Sequence, residues 1–346
     1  MSDIEGRKRQ HIDAVINENV SSKGLTTGFE DYRFDHVALP ETDLDAVDMT
    51  TTVFGKTLAA PMLLSSMTGG TDIARSINRH LAEAAQSLGI AMGVGSQRAG
   101  LEQPEFADTF KVRSVAPDIL LFANLGAVQL NYGYTADHAR RAVDMIGADA
   151  LFLHLNPLQE AVQAGGDRNW TGLYEKIEAV VSALDVPVVA KEVGNGISAG
   201  VARRLVDIGI AGIDVAGSGG TSWSEVEAYR QDDPLVRRVA HAFAGWGIPT
   251  ATSLREVVAD LPETPVFASG GVRTGIDAAK AMRLGASLAG MAAPTLGSAL
   301  ETATAVHDMM TATIAELRIA MFCTGSPDLD ALKSAKIRYL PTGEYL

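Results

Sequence analysis

Short apolar runs recur along the chain, and each is bounded by polar residues, glycine or proline. Within a run the apolar residues are consecutive rather than alternating, which is typical of parallel strands buried on both faces of a sheet. Eight runs predict strands over residues 62–66, 90–94, 119–123, 150–154, 186–191, 212–215, 266–269 and 287–291.

Amphipathic helical patterns separate these runs, with apolar residues recurring every three or four positions. They predict helices over residues 72–88, 173–184, 198–208, 252–259 and 274–284. Thr71 or Asp72 is suited to cap the first helix, while Gly209 and Gly285 lie just beyond the ends of the third and the last. The sixth unit is longer than the others because residues 217–247 are inserted before its helix.

The alternation of strands and helices predicts an α/β fold, and eight units favour a single (β/α)8 TIM barrel. A doubly wound open sheet is the alternative, but units that follow one another without a break in composition favour closure. The first 50 residues are polar and irregular. We expect residues 1–58 to form a short N-terminal extension covering the barrel, with a hairpin over 48–58 closing its floor. Residues 59–346 are then the barrel itself, with an insertion after the sixth strand.

Composition and charge narrow the classes of function. The 346 residues are 47% apolar and 21% charged, which excludes a disordered or fibrous chain. The net charge is −13, from 29 Lys and Arg against 42 Asp and Glu, and it argues against a nucleic-acid partner. A single cysteine, Cys323, excludes an internal disulfide and a cysteine-rich metal site.

The same composition bears on location and assembly. The chain has no apolar run of about 18 residues and begins with a polar segment, so we expect a cytoplasmic protein with no membrane partner. Because barrels with apolar outer faces often associate, we also expect a homo-oligomer.

Polar and glycine-rich clusters follow nearly every predicted strand, whereas the opposite strand ends lack them. The active site of a TIM barrel lies at the carboxyl ends of its strands, so this asymmetry indicates an enzyme. Two clusters predict a phosphate site: Gly271, Val272 and Arg273 follow the seventh strand, and Ala292 and Ala293 follow the eighth. A single glycine pair is usually a turn beside a helix cap. Two clusters after neighbouring strands, with a helix amino end facing them, favour phosphate binding.

The fourth strand ends in His154 and Asn156, which share one face of the strand and are followed by Gln159 and Glu160. A lone histidine is usually structural, but these neighbours favour a functional role. One carboxylate is too few for an all-protein metal site. Glu160 suits Mg²⁺ that is shared with a substrate diphosphate, because Mg²⁺ keeps water and phosphate oxygens as ligands.

Two groups of cations are open to a structural and a functional interpretation. Lys191, at the end of the fifth strand, either meets a bound anion or electron-rich ring, or forms an ion pair with Glu192. Residues 7–9 (Arg-Lys-Arg) are either a solvated tail or, if the segment folds over the barrel mouth, a source of cations for a diphosphate.

Together these residues resemble the type 2 isopentenyl-diphosphate Δ-isomerases, which are FMN-dependent barrels. The most specific resemblance is in residues 154–160 (His-Leu-Asn-Pro-Leu-Gln-Glu), residues 191–196 (Lys-Glu-Val-Gly-Asn-Gly) and the Arg7-Lys8 pair. Further similar segments, in order along nearly the whole chain, are 34–36, 67–70, 95–98, Asn124, 219–223 and 269–273. Residues 326–346 resemble the family less clearly.

The resemblance implies interconversion of isopentenyl and dimethylallyl diphosphate with FMN, with NADPH that keeps the flavin reduced, and with Mg²⁺. It places FMN on Ser65, Ser66, Met67, Thr68, Ser96, Asn124, Lys191 and Thr221, and the FMN phosphate on Gly271, Val272, Arg273, Ala292 and Ala293. It places the substrate on Arg7, Lys8, Ser96, Gln97, Arg98, His154, Asn156 and Gln159, and Mg²⁺ on Glu160. The catalytic residues that it implies are Gln159, at the reacting alkene, His154 and Lys191.

The residue types agree with this chemistry. Moving a double bond adds a proton to one carbon and removes one from its neighbour, in a dry pocket that stabilises the developing cation. The strand ends offer no strong acid and base pair, a gap that a reduced flavin fills.

Two alternatives stay open. One is an FMN-dependent barrel oxidoreductase acting on a small anionic substrate, and the other is a flavin- or phosphate-binding protein without activity. Against the oxidoreductase, His241 lacks the sequence context of a hydroxy-acid oxidase base, and Cys323 lies beyond the eighth strand.

Overall fold

Eight parallel strands close into a barrel in the computed structural model, which describes residues 3–345. The barrel strands are β1 Met62–Leu64, β2 Ala91–Gly93, β3 Leu121–Gly126, β4 Ala150–Leu155, β5 Val188–Glu192, β6 Gly212–Asp214, β7 Val266–Ala268 and β8 Leu288–Met291. Neighbours pair in chain order, and β8 pairs back with β1, where Ala289 lies opposite Met62. The predicted (β/α)8 TIM barrel is confirmed.

Helices surround the barrel. They are α1 Asp3–Asn17, α2 Asp72–Leu88, α3 Arg98–Glu102, α4 Ala136–Ile146, α5 Pro157–Val162, α6 Leu173–Ala183, α7 Ala199–Asp207, α8 Trp223–Tyr229, α9 Pro234–His241, α10 Thr250–Asp260, α11 Gly275–Arg283, α12 Ala293–Glu301, α13 Ala303–Cys323 and α14 Leu329–Lys333. Short 3-10 turns cover Phe29–Asp31, Leu44–Ala46, Pro104–Thr109 and Ala127–Asn131. None of these helices is long and apolar enough to cross a membrane, within residues 3–345.

Local side chains and glycines cap the helix ends, and Thr71 does so as predicted. Thr71 caps α2, since its side chain accepts a hydrogen bond from the Ala74 amide. Gly89 ends α2 in the left-handed conformation that glycine adopts without strain. Thr274 forms a capping box with Asp277 at the start of α11. The amino end of α11 is thereby fixed at the mouth of the barrel.

The lower interior of the barrel is filled with apolar side chains. Phe122 stacks on Phe152 with ring centroids 4.2 Å apart, and Phe267 meets both rings edge to face. An antiparallel hairpin, Thr51–Val53 with Lys56–Leu58, packs beneath this layer and closes the floor as predicted. Within residues 3–345 the floor of the barrel is thus filled, and a cavity lies at the carboxyl end of the strands.

The N-terminal helix packs at that open end. Helix α1 packs on α8 and α12, which both lie at the mouth. Farther along, strand Tyr32–Phe34 pairs with Ile337–Tyr339, and that strand pairs in turn with Glu344–Tyr345. The predicted insertion after the sixth strand holds helices α8 and α9.

Candidate active site

One cavity opens among the carboxyl ends of all eight strands, and most of the predicted site residues line it. Helix α1 closes one side of it with Lys8, His11, Ile12 and Val15. The predicted residues in the lining are Lys8, Ser65, Ser66, Met67, Thr68, Ser96, Arg98, Asn124, His154, Asn156, Gln159, Glu160, Lys191, Thr221, Gly271, Val272, Arg273, Ala292 and Ala293.

Two predicted substrate contacts are not in this lining. Gln97 is fully buried away from the cavity, where its Nε2 donates to the Ala142 carbonyl and its Oε1 accepts from the Asn124 amide. Both ends of its amide are occupied in joining α4 to β3, so the expectation that this side chain holds substrate is corrected. The side chain of Arg7 lies outside the described residues.

The predicted phosphate site is built from closely packed backbone. Gly270 and Gly271 have positive φ angles of 98° and 75°, and a Cβ on Gly220 would lie 2.5 Å from the Gly271 amide nitrogen. Only glycine allows the loops after β6 and β7 to approach so closely. Helix α12 starts beside them without a side-chain cap and turns its positive amino end toward the cavity, although Pro294 has no N–H and the Thr295 amide bonds to the Ala292 carbonyl.

Unpaired polar atoms mark the cavity as a ligand site. Ser66 Oγ, Thr68 Oγ1 and Asn156 Oδ1 are buried and have no hydrogen-bond partner among residues 3–345. Buried polar atoms are nearly always paired in folded proteins, so these three are expected to meet a bound molecule or water. The hydroxyls beneath the mouth and the glycine-rich phosphate cradle together fit a flavin mononucleotide.

Lys191 pairs with Asp214 and not with its neighbour Glu192. Its Nζ lies 2.7 Å from Asp214 Oδ2 and 2.9 Å from Ser269 Oγ. The Glu192 carboxylate instead accepts the amides of the turn that follows it, and burial raises its pKa to about 7.

His154 is an uncharged residue at neutral pH. Burial, with the nearby charges of Lys8 and Lys191, lowers its pKa to about 3. Its Nδ1 lies 2.7 Å from Asn124 Oδ1, an amide oxygen that can only accept a hydrogen bond, so Nδ1 carries the hydrogen. In this state the ring offers Nε2 only as an acceptor.

A chain of hydrogen bonds fixes Gln159. Its Oε1 accepts from Asn156 Nδ2 at 3.1 Å, and its Nε2 donates to Glu227 Oε1 at 3.1 Å. Glu227 also contacts His11 at 2.9 Å and forms an ion pair with Arg230. Burial alone would raise the pKa of Glu227, but its bonds to His11, Arg230 and Gln159 lower it, so the carboxylate is ionised. Burial lowers the pKa of His11 to about 4, so that ring is neutral.

Arg98 and Glu160 are joined through one loop residue. Arg98 Nη1 lies 3.0 Å from Asp167 Oδ2, and Arg98 Nε lies 2.9 Å from Glu102 Oε1. The Asp167 amide donates to Glu160 Oε2 at 2.8 Å. In the part of the chain that is described, no three His, Cys, Asp or Glu side chains cluster to hold a metal, so Glu160 fits Mg²⁺ only where a ligand supplies further oxygens.

Three acidic residues that bond to side chains of the cavity lining were missed by sequence reasoning. Asp214 lies in an apolar strand run, where a carboxylate is unusual and was a usable signal. Glu227 and Asp167 lie in loops and inserted helices, where acidic residues are common and give no such signal. Their positions follow only from the folded geometry.

Comparison with known proteins defines the class first. A family model described as FMN-dependent dehydrogenase matches residues 2–109 and 134–339. A solved structure of mandelate oxidase with a monooxide FMN adduct aligns over 98% of this chain and 100% of that one, at 22% identity and a TM-score of 0.67. At that identity the likeness concerns the fold. The barrel and the family model therefore define an FMN-dependent TIM-barrel protein.

Relatives of higher identity narrow this class. Proteins named isopentenyl-diphosphate delta-isomerase are 58% identical in Synechocystis sp., 56% in Stutzerimonas stutzeri and 53% in Cronobacter sakazakii. The alignments cover 100%, 97% and 97% of this chain and 99%, 98% and 97% of those proteins. The chain belongs to the family of isopentenyl-diphosphate delta-isomerases.

Proposed function

We propose that this protein interconverts isopentenyl diphosphate and dimethylallyl diphosphate in the cavity at the carboxyl end of the barrel. The observation that carries the proposal is that Gln159, Lys191 and the glycine cradle at Gly271 line one cavity, in a chain 58% identical to a protein of that name. The separate requirements of the chemistry thus meet at a single place.

The cavity lining suits FMN, held by the hydroxyls of Ser66 and Thr68 and by the amides around Gly271. When bound and reduced, FMN supplies an electron-rich ring and a site of proton exchange. The FMN contacts proposed are those predicted from the sequence, and Lys191, paired with Asp214, lies in the same wall.

The diphosphate is proposed to lie near Lys8 and Arg98, which are cations lining the same cavity. Arg98 already contacts Asp167 and Glu102, so a bound diphosphate must join or replace those contacts. Glu160 would hold Mg²⁺ jointly with the diphosphate oxygens, in the manner that this cation prefers. Neutral His154 cannot add a positive charge unless the substrate itself raises its pKa.

Gln159 positions the reacting end of the substrate. Its amide does not titrate, and both of its ends are held, so it presents a fixed polar group to the alkene. The ionised Glu227 behind it holds the Gln159 amide in place, and Arg230 balances the charge of that carboxylate. Trp223 lines the same wall and adds an aromatic face of the kind that stabilises cations.

The remaining features are proposed from the family resemblance. NADPH would keep the flavin reduced without being consumed in each turnover, and the protein would act in the cytoplasm as a homo-oligomer. We also propose that residues 1–58 are an extension of the barrel domain formed by 59–346, because α1 contributes side chains to the cavity.

Anaerobic incubation with FMN, NADPH, Mg²⁺ and isopentenyl diphosphate, followed by NMR of the products, tests the proposal. The expected result is dimethylallyl diphosphate with NADPH consumed only to reduce the flavin once. Consumption of NADPH in proportion to product would instead indicate the oxidoreductase. Equal turnover by flavin-free protein would overturn the role of FMN.

The oxidoreductase alternative gains no support from the site. His241 bonds to Glu225 outside the cavity lining, and Cys323 lies at the end of α13. A hydroxy-acid oxidase needs a base beside the flavin, and neither residue is placed to act as one.

A further inference from the structure

Lys191 in the cavity wall forms a buried ion pair with Asp214, a residue to which the proposed chemistry gives no role. Lys191 Nζ lies 2.7 Å from Asp214 Oδ2, and the two side chains are 7% and 0% exposed. Ser269 Oγ accepts from Lys191 at 2.9 Å and donates to Asp214 Oδ1 at 2.6 Å. Lys191 and Ser269 line the cavity, whereas Asp214 lies behind them.

The backbone holds this cluster rigidly. Lys191 and Asp214 lie opposite each other on the paired strands β5 and β6, and Ser269 directly follows β7. A third donor to Asp214 is the Ala216 amide at 3.2 Å, and Ala216 has a positive φ of 35°, which is strained for a residue with a Cβ. Such strain persists only where the surrounding structure enforces it.

The net charge of this cluster affects the electrostatic potential at a bound flavin ring. With Asp214 ionised, Lys191 contributes a neutral pair and not an isolated cation. An isolated cation in a dry cavity would stabilise the anionic form of a reduced flavin and lower the proton affinity of the ring. Proton exchange between the flavin and the alkene requires a ring that keeps its affinity for a proton.

We propose that Asp214 is a positioning residue that fixes Lys191 against the flavin and cancels its charge, so that the site does not trap reduced FMN as an anion. This inference rests on the proposed binding of FMN. In this inference the Asp214 carboxylate, which does not line the cavity, controls the relative affinities of the site for oxidised and reduced flavin.

The test compares the dissociation constants of oxidised FMN and of dithionite-reduced FMN, measured anaerobically for wild type and Asp214→Asn. Because the variant leaves Lys191 uncompensated, we expect the ratio of the oxidised to the reduced constant to rise about tenfold. For a two-electron couple this equals a midpoint potential about 30 mV more positive. Asp260→Asn removes a carboxylate from the ion pair with Arg203, outside the cavity, and is expected to leave the ratio unchanged.

A second comparison covers the case in which Asp214→Asn does not fold, since a buried unpaired lysine is strongly destabilising. Lys191→Met is expected to lower the ratio, and Lys191→Met combined with Asp214→Asn to restore it to within about threefold of wild type. A ratio unchanged by Asp214→Asn, or equal in the single and double Lys191→Met variants, overturns the inference alone. If wild type binds neither form of FMN, the proposed function and this inference both fail.

Discussion

Gln159 stands at the mouth of the cavity with both ends of its amide bonded, to Asn156 and to Glu227. In Gln159→Ala the polar group proposed beside the alkene is lost, and kcat is expected to fall by about 10² or more. The dissociation constant of FMN is expected to change less than about threefold, because Gln159 is not a proposed flavin contact. Steady-state kinetics and flavin titration measure both quantities.

The matched control is Gln86→Ala. Gln86 bonds to Asp118 on the outer surface and does not line the cavity, so its loss is expected to leave kcat unchanged. A Gln159→Ala enzyme that keeps wild-type kcat would contradict the proposed role.

Replacing Gln97, which is also a glutamine, is expected to reduce stability and not activity. Gln97→Ala leaves the Ala142 carbonyl and the Asn124 amide without their buried partner. The free energy of unfolding is expected to fall by about 1–3 kcal/mol, as seen by urea denaturation. KM for the substrate is expected to stay within about threefold of wild type. A large rise in KM without loss of stability would return Gln97 to the substrate site.

These two glutamines show where prediction from residue types ends. Both lie just beyond strand ends, and the orientation of each side chain depends on neighbours far apart in the chain. Ala142, which anchors Gln97, is 45 residues away, and Glu227, which anchors Gln159, is 68 residues away. No local pattern encodes these partners.

Among the elements, α1 has the most direct link to function. It places Lys8 in the cavity lining and is attached to α8 by the contact between His11 and Glu227. Lys8→Ala is expected to raise KM for the substrate by about 10- to 100-fold, because a charge-assisted contact to the diphosphate is lost. The FMN affinity is expected to change little.

Lys23→Ala is the control for Lys8, because Lys23 bonds to the Asn19 carbonyl and does not line the cavity. Kinetics at several salt concentrations add a second measurement, since the effect of Lys8 should weaken as ionic screening increases. Equal KM values for Lys8→Ala and wild type would show that α1 supplies no cation to the substrate.

At this scale strands were easier to predict than helices. The consecutive apolar runs correspond to all eight barrel strands, although β3 extends to Gly126 and so includes Asn124. Helix α4 was not predicted because its buried face is partly Ala139 and Ala142, whose small side chains give little hydrophobic contrast. Helix α13 was not predicted either, since apolar residues such as the exposed Ile319 lie outside its buried face.

For the whole molecule, buried histidines link stability to pH. The pKa values of His154 and His11 are about 3 and 4, against 6.5 for a free histidine. Between about pH 4 and 6.5 the unfolded chain binds more protons at these sites than the native chain, so their contribution to the free energy of unfolding rises with pH. Glu192, with its pKa raised from 4.5 to about 7, contributes in the opposite direction.

The contribution of His154 is isolated by comparing variants. His154→Asn is expected to reduce the rise of the unfolding free energy between about pH 4 and 6.5, measured by urea denaturation at several pH values. Gln86→Ala, which lies outside the cavity and removes no titratable group, is expected to leave that rise unchanged. An identical pH dependence in His154→Asn and wild type would mean that His154 binds its proton as readily in the fold as in the unfolded chain.

Seen as a whole, the barrel itself accounts for most of what was predictable. Parallel strands bring their carboxyl ends to one face, so residues chosen only for following apolar runs meet in one cavity. The strand pattern does not predict the acidic residues that bond to the lining side chains from behind. Asp214 bonds to Lys191, Glu227 to Gln159, and Asp167 to Arg98.

A crystal structure of the reduced enzyme with FMN, Mg²⁺ and isopentenyl diphosphate, grown and cooled anaerobically, tests the central claim most directly. The account predicts the flavin phosphate at Gly271–Arg273, the ring against Lys191, and the diphosphate near Lys8 and Glu160 within the same cavity. Flavin and diphosphate bound at separate places on the molecule would contradict it.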